Sequence, residues 1–226
     1  MTEPLRLDGV DFAHDGRPVL RGLDLSLPAG TITALMGPSG CGKSTLIALA
    51  AGLLTPDAGR VARRCARLGI VFQDPALLPW KTALGNVGFA LRGLGLGRAE
   101  RRARARAMLD AVGLGPGDAG KYPRQLSGGM RQRVALARAL AVAPDLLLCD
   151  EAFSALDAPV RAKLWQLLHE LRARTGLTIL FVTHDQDEAM EHADRLAIMA
   201  PGRIEQTASV DACISAFTSR MNAPVS

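Results

Sequence analysis

The segment TITALMGPSGCGKST, residues 31–45, decides the fold of this chain. An apolar, strand-like run leads into a glycine-rich loop and then into helix-forming residues, and the positions from Gly37 to Ser44 fit the pattern GxxxxGK[ST]. Glycines let successive backbone N–H groups turn inward, and the start of a helix adds a dipole that favours anions. The segment therefore predicts a phosphate-binding loop between a buried strand and a helix.

Lys43 and Ser44 give this loop its expected chemistry. The lysine can reach the β and γ phosphates of a nucleotide, and the serine hydroxyl can ligate Mg²⁺. The alternative is a glycine-rich turn that only caps a helix, and the agreement of strand, glycines and Lys-Ser-Thr disfavours it. The predicted phosphate-binding residues are Gly37, Pro38, Ser39, Gly40, Cys41, Gly42, Lys43, Ser44 and Thr45.

Two carboxylates end a second apolar run, DLLLCDE at residues 145–151. A strand that ends in Asp150 places this side chain at the carboxyl edge of the sheet, beside the phosphate loop, where it can hold Mg²⁺ through water. Glu151 has left the strand and can polarise an attacking water. The alternative is an acidic pair at the start of a helix, stabilised by the helix dipole.

Two further segments place polar groups at helix or strand ends. LSGGM, residues 126–130, opens a helix with Ser127 as its N-cap, and with Gly128 and Gly129 it forms a second helix start suited to anions. Alone, it would be interpreted as a capped surface helix. His184 follows the run LTILFVT, and alone it would be an ordinary polar residue at a strand end.

Composition and charge exclude several classes of protein. Of the 226 residues, 48% are hydrophobic and 22% charged, which excludes a disordered chain. No apolar run is long enough to span a bilayer, and the first residues lack the pattern of a secretory signal. The net charge of +5 permits an anionic partner such as a nucleotide, a nucleic acid or a lipid headgroup. The four cysteines fit neither a disulfide framework nor a zinc site, so we expect a reducing compartment.

The order of the elements predicts an α/β fold with a mostly parallel sheet. We expect N-terminal strands joined by turns, the first at Asp15-Gly16, then alternating strands and helices, with a helical insertion over 74–125, where no strand is convincing. The predicted strands are 4–12, 18–27, 31–36, 68–72, 145–150, 177–184 and 195–199, and the predicted helices are 43–52, 98–112, 128–143 and 158–174.

The chain resembles the ATP-binding subunit of an ATP-binding-cassette (ABC) transporter. Six motifs occur in that family's order and spacing over residues 1 to about 206: the phosphate loop at 37–44, Gln73, LSGGM at 126–130, LLLCDE at 146–151, SALD at 154–157 and His184. The resemblance implies a P-loop NTPase core with a trimmed N-terminal antiparallel β subdomain and a helical subdomain inserted at about 74–143. It implies one domain over 1–226, with a tail from about 207 to 226 that is too short for a regulatory domain.

The same resemblance implies a dimer that works on ATP. Two subunits pair head to tail, and each ATP lies between the phosphate loop of one copy and Ser127, Gly128 and Gly129 of the other. Asp157 lies at the subunit junction. This arrangement would explain why one chain carries two anion-binding helix starts.

The resemblance also implies catalytic roles. Gln73 contacts Mg²⁺ and the attacking water, Glu151 is the general base, and His184 binds the γ-phosphate. Ser44, Gln73 and Asp150 are the implied ligands of the Mg²⁺ site.

The implied partners are integral-membrane permease subunits and, through them, an extracytoplasmic solute-binding protein, with this chain peripheral on the cytoplasmic face of the inner membrane. LLPW, residues 77–80, resembles importer subunits for nitrate, sulfonates and taurine, and its apolar side chains either grip the membrane subunit or pack in the core. We expect no nucleic-acid partner. The alternatives are an ABC ATPase that acts on nucleic acid or ribosomes and a weakly hydrolysing regulatory module.

An arginine cluster over residues 98–106 follows this segment. We interpret it as a solvated helix face, in preference to a membrane-facing surface and, after that, a nucleic-acid site.

Two single positions depart from the family pattern. Ala152 replaces the usual proline after Glu151, and we expect this to loosen the placement of the base and slow hydrolysis. His14 takes the place of the aromatic residue that stacks on adenine, and we expect Phe12 to face the other side of the strand.

The chain is also short between two motifs. Only 36 positions separate Gly37 from Gln73, and GRVARRCARL, residues 59–68, is expected to replace a β-hairpin.

Overall fold

The computed structural model describes residues 3–210 and 212 of the chain. The strands in this part are β1 Leu5–His14, β2 Arg17–Leu27, β3 Ile32–Met36, β4 Ala58–Arg63, β5 Leu68–Val71, β6 Leu146–Asp150, β7 Thr178–Val182, β8 Arg195–Ala200 and β9 Arg203–Ser209. The α-helices are α1 Lys43–Ala51, α2 Ala83–Ala90, α3 Arg98–Ala111, α4 Pro116–Ala119, α5 Gly128–Ala141, α6 Ala158–Thr175 and α7 Gln186–His192. Short 3₁₀ helices span Leu91–Leu94 and Pro123–Gln125.

The larger sheet carries the phosphate loop and both carboxylates. Its strand order is β5-β6-β7-β3-β8-β9, and the pairing is parallel except for β9, which runs antiparallel to β8. Every residue of β6 and β7 is buried because both faces of the sheet are covered. The predicted α/β fold with a mostly parallel sheet is confirmed.

Alternate residues of β6 feed two separate hydrophobic clusters. Leu147 and Cys149 pack into the cluster shared with α5 and α6, whereas Leu146 and Leu148 pack into the cluster shared with β1, β2 and α1. Successive side chains of a strand point to opposite faces, so one short run supplies both cores. Burial on both faces fixes the register of the strand, and with it the position of Asp150 at its end.

The smaller sheet is antiparallel, with the order β2-β1-β4. Asp15 and Gly16 have φ values of 49° and 76°, the left-handed pair that a two-residue hairpin turn needs. Residues 59–68, expected to replace a hairpin, supply most of the single strand β4 and then lead into β5. The sequence does not predict β4 because AGRVAR shows no alternation of apolar and polar residues, and none of its residues is buried in the structure.

Every element between β5 and β6 is helical in the described structure. Ser127 caps α5, as predicted, because its Oγ accepts a hydrogen bond from the backbone N–H of Met130 at 3.2 Å. The buried Asn86 on α2 fixes the turn before that helix. Its Oδ1 accepts from the N–H of Leu78 at 2.7 Å, and its Nδ2 donates to the carbonyl oxygens of Leu78 and Lys81.

Several boundaries differ from the predicted ones. The sequence pattern does not predict α2, α4, α7 or β9, which are short or polar. Because β9 runs to Ser209, the tail predicted from residue 207 begins inside a strand, and most of that tail lies outside the described residues.

No helix in the described part is long and apolar enough to cross a membrane. Cys41, Cys65 and Cys149 are free thiols, and Cys213 lies outside the described residues.

Candidate nucleotide-binding site

Residues 37–42 join β3 to α1, and close packing explains two of their glycines. A Cβ at Gly37 would collide with the carbonyl oxygen of Met199 on β8. Gly42 has a φ of 109°, which L-residues rarely adopt, and a Cβ there would lie 2.8 Å from Leu20 Cδ2. The three residues after Gly37 are exposed. The loop is therefore tight on its inner side and open to a ligand on its outer side.

The Lys43 ammonium lies against the first residues of this loop. Its Nζ donates hydrogen bonds to the carbonyl oxygens of Gly37 at 2.8 Å and of Pro38 at 2.9 Å. An ammonium has three donors, so one stays available to a phosphate oxygen. Cys41 is buried, which leaves its backbone N–H as the contribution it can make to an anion, whereas Thr45 is only half-buried.

Ser44 and Asp150 form a hydrogen-bonded pair between the start of α1 and the end of β6. Burial raises the pKa of the Asp150 carboxyl, and the neighbouring Glu151 adds to this, whereas the Ser44 hydrogen bond and the Lys43 ammonium oppose it. A nearby cation would therefore stabilise the ionised carboxylate. A hydroxyl and a carboxylate are the hard oxygen ligands that Mg²⁺ prefers, so the pair fits this ion.

Gln73 and Glu151 are in direct contact. Nε2 of Gln73, two residues past β5, donates a hydrogen bond to Oε2 of Glu151 at 3.0 Å. Glu151 has a φ of 48°, and its carbonyl oxygen accepts from Oγ of Ser154 at 3.0 Å. A proline at position 152 would push residue 151 toward the extended region, so Ala152 permits this left-handed conformation.

A small cavity of about 130 Å³ brings Glu151 and His184 together. Both line it, together with Phe153, Thr183 and Glu188 among others. His184 is exposed on the turn after β7. Two of the three predicted catalytic residues therefore share one cavity, and Gln73 reaches it through its hydrogen bond to Glu151.

Ser127, Gly128 and Gly129 do not join this group within one chain. The helix they begin, α5, packs on β5, where Gln132 Nε2 donates to the carbonyl oxygen of Phe72. The phosphate loop follows β3, which lies three strand spacings away, about 14 Å. Ser127 and Gly128 are exposed. The predicted anion-binding start of α5 is therefore open to solvent.

Asp157 has a structural role within the chain. Its Oδ1 accepts a hydrogen bond from the backbone N–H of Val160 at 3.0 Å, which caps α6. The carboxylate is exposed, and its position at a subunit junction stays a prediction.

The prediction for Phe12 is wrong. Phe12 and His14 lie on the same face of β1, with ring centroids 4.8 Å apart in an edge-on arrangement. Side chains two residues apart in a strand point to the same face of the sheet, and only adjacent residues point to opposite faces. His14 is exposed and Phe12 buried, which leaves the histidine as the ring available for stacking.

Comparison with known proteins identifies the family. The family model described as "ABC transporter" matches residues 20–154. An aliphatic sulfonates import ATP-binding protein of Mycobacterium sp. (strain MCS) is 48% identical over 203 residues, which cover 90% of this chain and 82% of that protein. The chain belongs to the ABC transporter family. Its predicted resemblance and its P-loop fold are both confirmed.

Other relatives of this ABC chain are longer. An Fe(3+) ions import ATP-binding protein of Rhodococcus jostii (strain RHA1) is 46% identical over 221 residues, which cover 91% of this chain but only 62% of the relative. A solved dimeric ATP-binding cassette in a post-hydrolysis state, bound to ADP and Pi, superposes with a TM-score of 0.83 at 34% identity and covers 91% of this chain. The matched cassette covers nearly the whole of that solved chain, 98%.

The sequence did not predict the contact between two buried side chains beside the cavity, Trp165 and Glu188. Helical spacing places Trp165 on the buried face of α6, but nothing in the sequence shows that its indole meets Glu188 on α7. Glu188 is one of several carboxylates in DQDEAME, and only its burial distinguishes it.

Proposed function

We propose that this chain binds and hydrolyses ATP as the motor subunit of an importer. One observation carries the proposal: the Lys43 ammonium, the Ser44–Asp150 pair and the Gln73–Glu151 pair meet at the carboxyl edge of one parallel sheet. Ligands of open α/β sheets bind at this edge. A phosphate chain on the loop would have a cation, metal-binding oxygens and a general base along its length.

The residues of the site divide the work of hydrolysis among them. The loop's backbone N–H groups and Lys43 would bind and orient the phosphates, and His184, which lines the cavity with Glu151, would contact the terminal phosphate. Glu151 accepts a proton from the attacking water, which the Gln73 amide helps to orient. Mg²⁺, held by Ser44 and Asp150, supplies charge stabilisation of the phosphate oxygens when it is bound.

A second copy of the chain completes the site in this proposal. The strand on which α5 packs, β5, lies three strand spacings from β3, which leads into the loop, and the exposed start of α5 is free to meet a nucleotide on another chain. The similar solved cassette is described as dimeric. We infer a head-to-tail dimer in which Ser127, Gly128 and Gly129 close over the partner's ATP, with Asp157 at the junction.

A cationic groove of about 810 Å³ between α2 and α3 is the proposed docking surface for the membrane subunits. Its lining includes Phe89, which is 45% exposed between Lys81 and Arg92. Trp80, which precedes Lys81 in the chain, is 70% exposed, whereas Leu77 packs on the core, so only part of the LLPW segment faces outward. The cations that line the groove are Lys81, Arg92, Arg98, Arg101, Arg102 and Arg106.

The remaining parts of the proposal follow from the relatives' names. The sulfonates and Fe(3+) relatives are import proteins, so we propose a solute-binding protein upstream and a peripheral position on the cytoplasmic side of the membrane. We propose that the described residues form one ATPase domain, with the helices between β5 and β6 as its inserted subdomain. Because these two relatives are named for sulfonates and Fe(3+) ions, the proposed solute is a small anion or a metal ion.

Steady-state Mg-ATP hydrolysis tests the central proposal. We expect turnover by the wild type, its loss in Glu151→Gln, and a nucleotide-dependent dimer of Glu151→Gln on size-exclusion chromatography. Wild-type protein that binds ATP without hydrolysing it would favour the regulatory-module alternative.

Co-purification tests the transport part. We expect capture of integral-membrane subunits by the wild type and loss of capture in Arg101→Glu/Arg102→Glu. Arg174→Glu, an exposed arginine at the far end of α6, is the matched control and is expected to retain capture. Binding to DNA or ribosomes in place of membrane subunits would overturn the importer proposal.

A further inference from the structure

The indole of Trp165 lies between the two segments that carry Glu151 and His184. Its ring centroid is 4.7 Å from that of Phe153, two residues past Glu151, and 4.8 Å from that of Phe181, three residues before His184. Trp165 is 1% exposed, so its indole is enclosed by protein and packs against both segments. A displacement of either segment is therefore transmitted to the same ring.

Glu188 connects this ring to the turn that presents His184. Its Oε1 accepts a hydrogen bond from Trp165 Nε1 at 3.1 Å, and its Oε2 accepts one from Thr183 Oγ1 at 2.6 Å. The same Thr183 oxygen accepts from the backbone N–H of Asp185 at 3.1 Å. The residues on both sides of His184 are thus fixed to one buried carboxylate.

The burial of Glu188 is hard to explain by packing alone. It is 9% exposed, and a buried carboxylate loses more hydration than a pair of hydrogen bonds returns unless the geometry is tightly defined. An apolar side chain would fill the same space at a lower desolvation penalty. A charged group in this place does define geometry, because both of its oxygens accept from groups beside the cavity.

We propose that Trp165 and Glu188 are positioning residues for ATP hydrolysis. Their hydrogen bond, continued through Thr183, sets the placement of His184 relative to Glu151 across the 130 Å³ cavity that both line. The inference rests on the proposed ATPase function and adds two residues outside the sequence motifs, of which Glu188 lines the cavity. Binding of a phosphate at His184 is coupled to the placement of the base through this connection.

A matched pair of variants at Thr183 tests the connection. Thr183→Val keeps the shape but removes the hydroxyl, whereas Thr183→Ser keeps the hydroxyl. We expect kcat of Thr183→Val to fall about tenfold, the scale of one lost hydrogen bond to a charged group, with the ATP dissociation constant unchanged and Thr183→Ser close to wild type. Trp165→Phe, which retains a ring but loses the N–H, is expected to resemble Thr183→Val.

Tryptophan fluorescence supplies a readout that a merely structural role would not move. The chain has two tryptophans, so Trp80→Phe leaves Trp165 as the only one. We expect ATP to shift the emission of Trp165 in this background, and Thr183→Val to abolish the shift while thermal unfolding stays cooperative.

The outcomes separate the two proposals. A wild-type chain that does not hydrolyse ATP overturns the proposed function. An active wild type with unchanged kcat in Thr183→Val and Trp165→Phe overturns the positioning role alone. Equal losses in Thr183→Val and Thr183→Ser, or a weakened ATP affinity in step with kcat, also overturn it, because the hydroxyl would then not be the cause or the effect would be on binding.

Discussion

Nε2 of Gln73 donates a hydrogen bond to Oε2 of Glu151 at 3.0 Å, although 78 residues separate the two in the sequence. Gln73 follows β5 and Glu151 follows β6, and these strands are neighbours in the sheet. The contact therefore joins the start of the helical insertion to the proposed base. Movement of that insertion and availability of the carboxylate are linked through a single amide.

The first prediction concerns Glu151→Gln. The amide keeps the shape of the side chain but cannot accept a proton, so we expect kcat for ATP to fall by at least about 100-fold, the lower range for a lost general base. ATP affinity is expected to stay near the wild-type value. Glu170→Gln, an exposed carboxylate on α6, is the control and should keep full turnover. A comparable loss in the control, or none at Glu151, would contradict the assignment.

The second prediction concerns the backbone of Glu151. Because its φ is 48°, a Cβ at this position is strained by about 1 kcal/mol. We expect Glu151→Gly to unfold at a higher urea concentration than Glu151→Ala in the absence of nucleotide. At Lys163, which is exposed within α6, we expect the reverse order, with Lys163→Gly about 1 kcal/mol less stable than Lys163→Ala. The same order at both positions would show that the strain is absent.

The third prediction concerns Lys43. Its ammonium already bonds two loop carbonyls, so removal takes away both a phosphate contact and part of the loop's fixation. We expect Lys43→Ala to weaken ATP binding about 10- to 100-fold by isothermal titration calorimetry. Lys43→Arg is expected to fall short of rescue because a planar guanidinium does not replace a compact ammonium. Lys163→Ala serves as the control, and an effect as large there would refute a local role.

The fourth prediction concerns Asp150. Burial raises the pKa of this carboxyl in the folded chain, so the folded state holds its proton more tightly than the unfolded state does. The resulting stability is present at low pH and is lost as the pH rises through the raised pKa. At neutral pH, without Mg²⁺ and nucleotide, we therefore expect Asp150→Asn to melt at a higher temperature than the wild type while losing Mg-dependent turnover. The difference in melting temperature should shrink on acidification, and a difference independent of pH would speak against this cause.

The fifth prediction concerns His192, which stacks on Trp165 with centroids 4.3 Å apart. Burial lowers the pKa of its imidazole below the ordinary value of 6.5; His169 and Arg161 act in the same direction, whereas Glu191 and Glu188 oppose it. The contribution of the neutral His192 to the free energy of unfolding is thus fully present at a pH above 6.5. It is lost as the pH falls below that value, because the unfolded chain then binds the proton more readily than the folded chain does.

We expect His192→Phe, which keeps the stacking, to flatten the fall in melting temperature on acidification below the ordinary histidine pKa. His14→Gln, at an exposed histidine, should leave the fall unchanged. An equally steep fall in His192→Phe would show that another group is responsible.

The central part of the fold could be predicted because its signals are local. The phosphate loop combines glycines with a fixed lysine and serine spacing, and the parallel strands of the larger sheet are apolar runs. Ser127 as the cap of α5 and the Asp15–Gly16 turn are also local features, and both are present. Each depends on the backbone conformation of a few consecutive residues.

The strands at the edges could not be predicted in the same way. No residue of β4 is buried, and β9 has none either, so neither shows the apolar alternation that marks a strand. They form because β1 and β8 offer unpaired backbone groups beside them. Their existence is a consequence of neighbours far away in the sequence.

The sequence by itself determined the phosphate loop, the chemical identity of the site residues and the class of fold. Only the tertiary structure decided which of these residues meet: Gln73 with Glu151, Glu151 with His184 across one cavity, and Trp165 with Glu188. It also placed Phe12 beside His14 and kept the start of α5 apart from the loop. The physical reason is that strand order and helix packing are set by the burial of side chains from distant segments, which no spacing along the chain encodes.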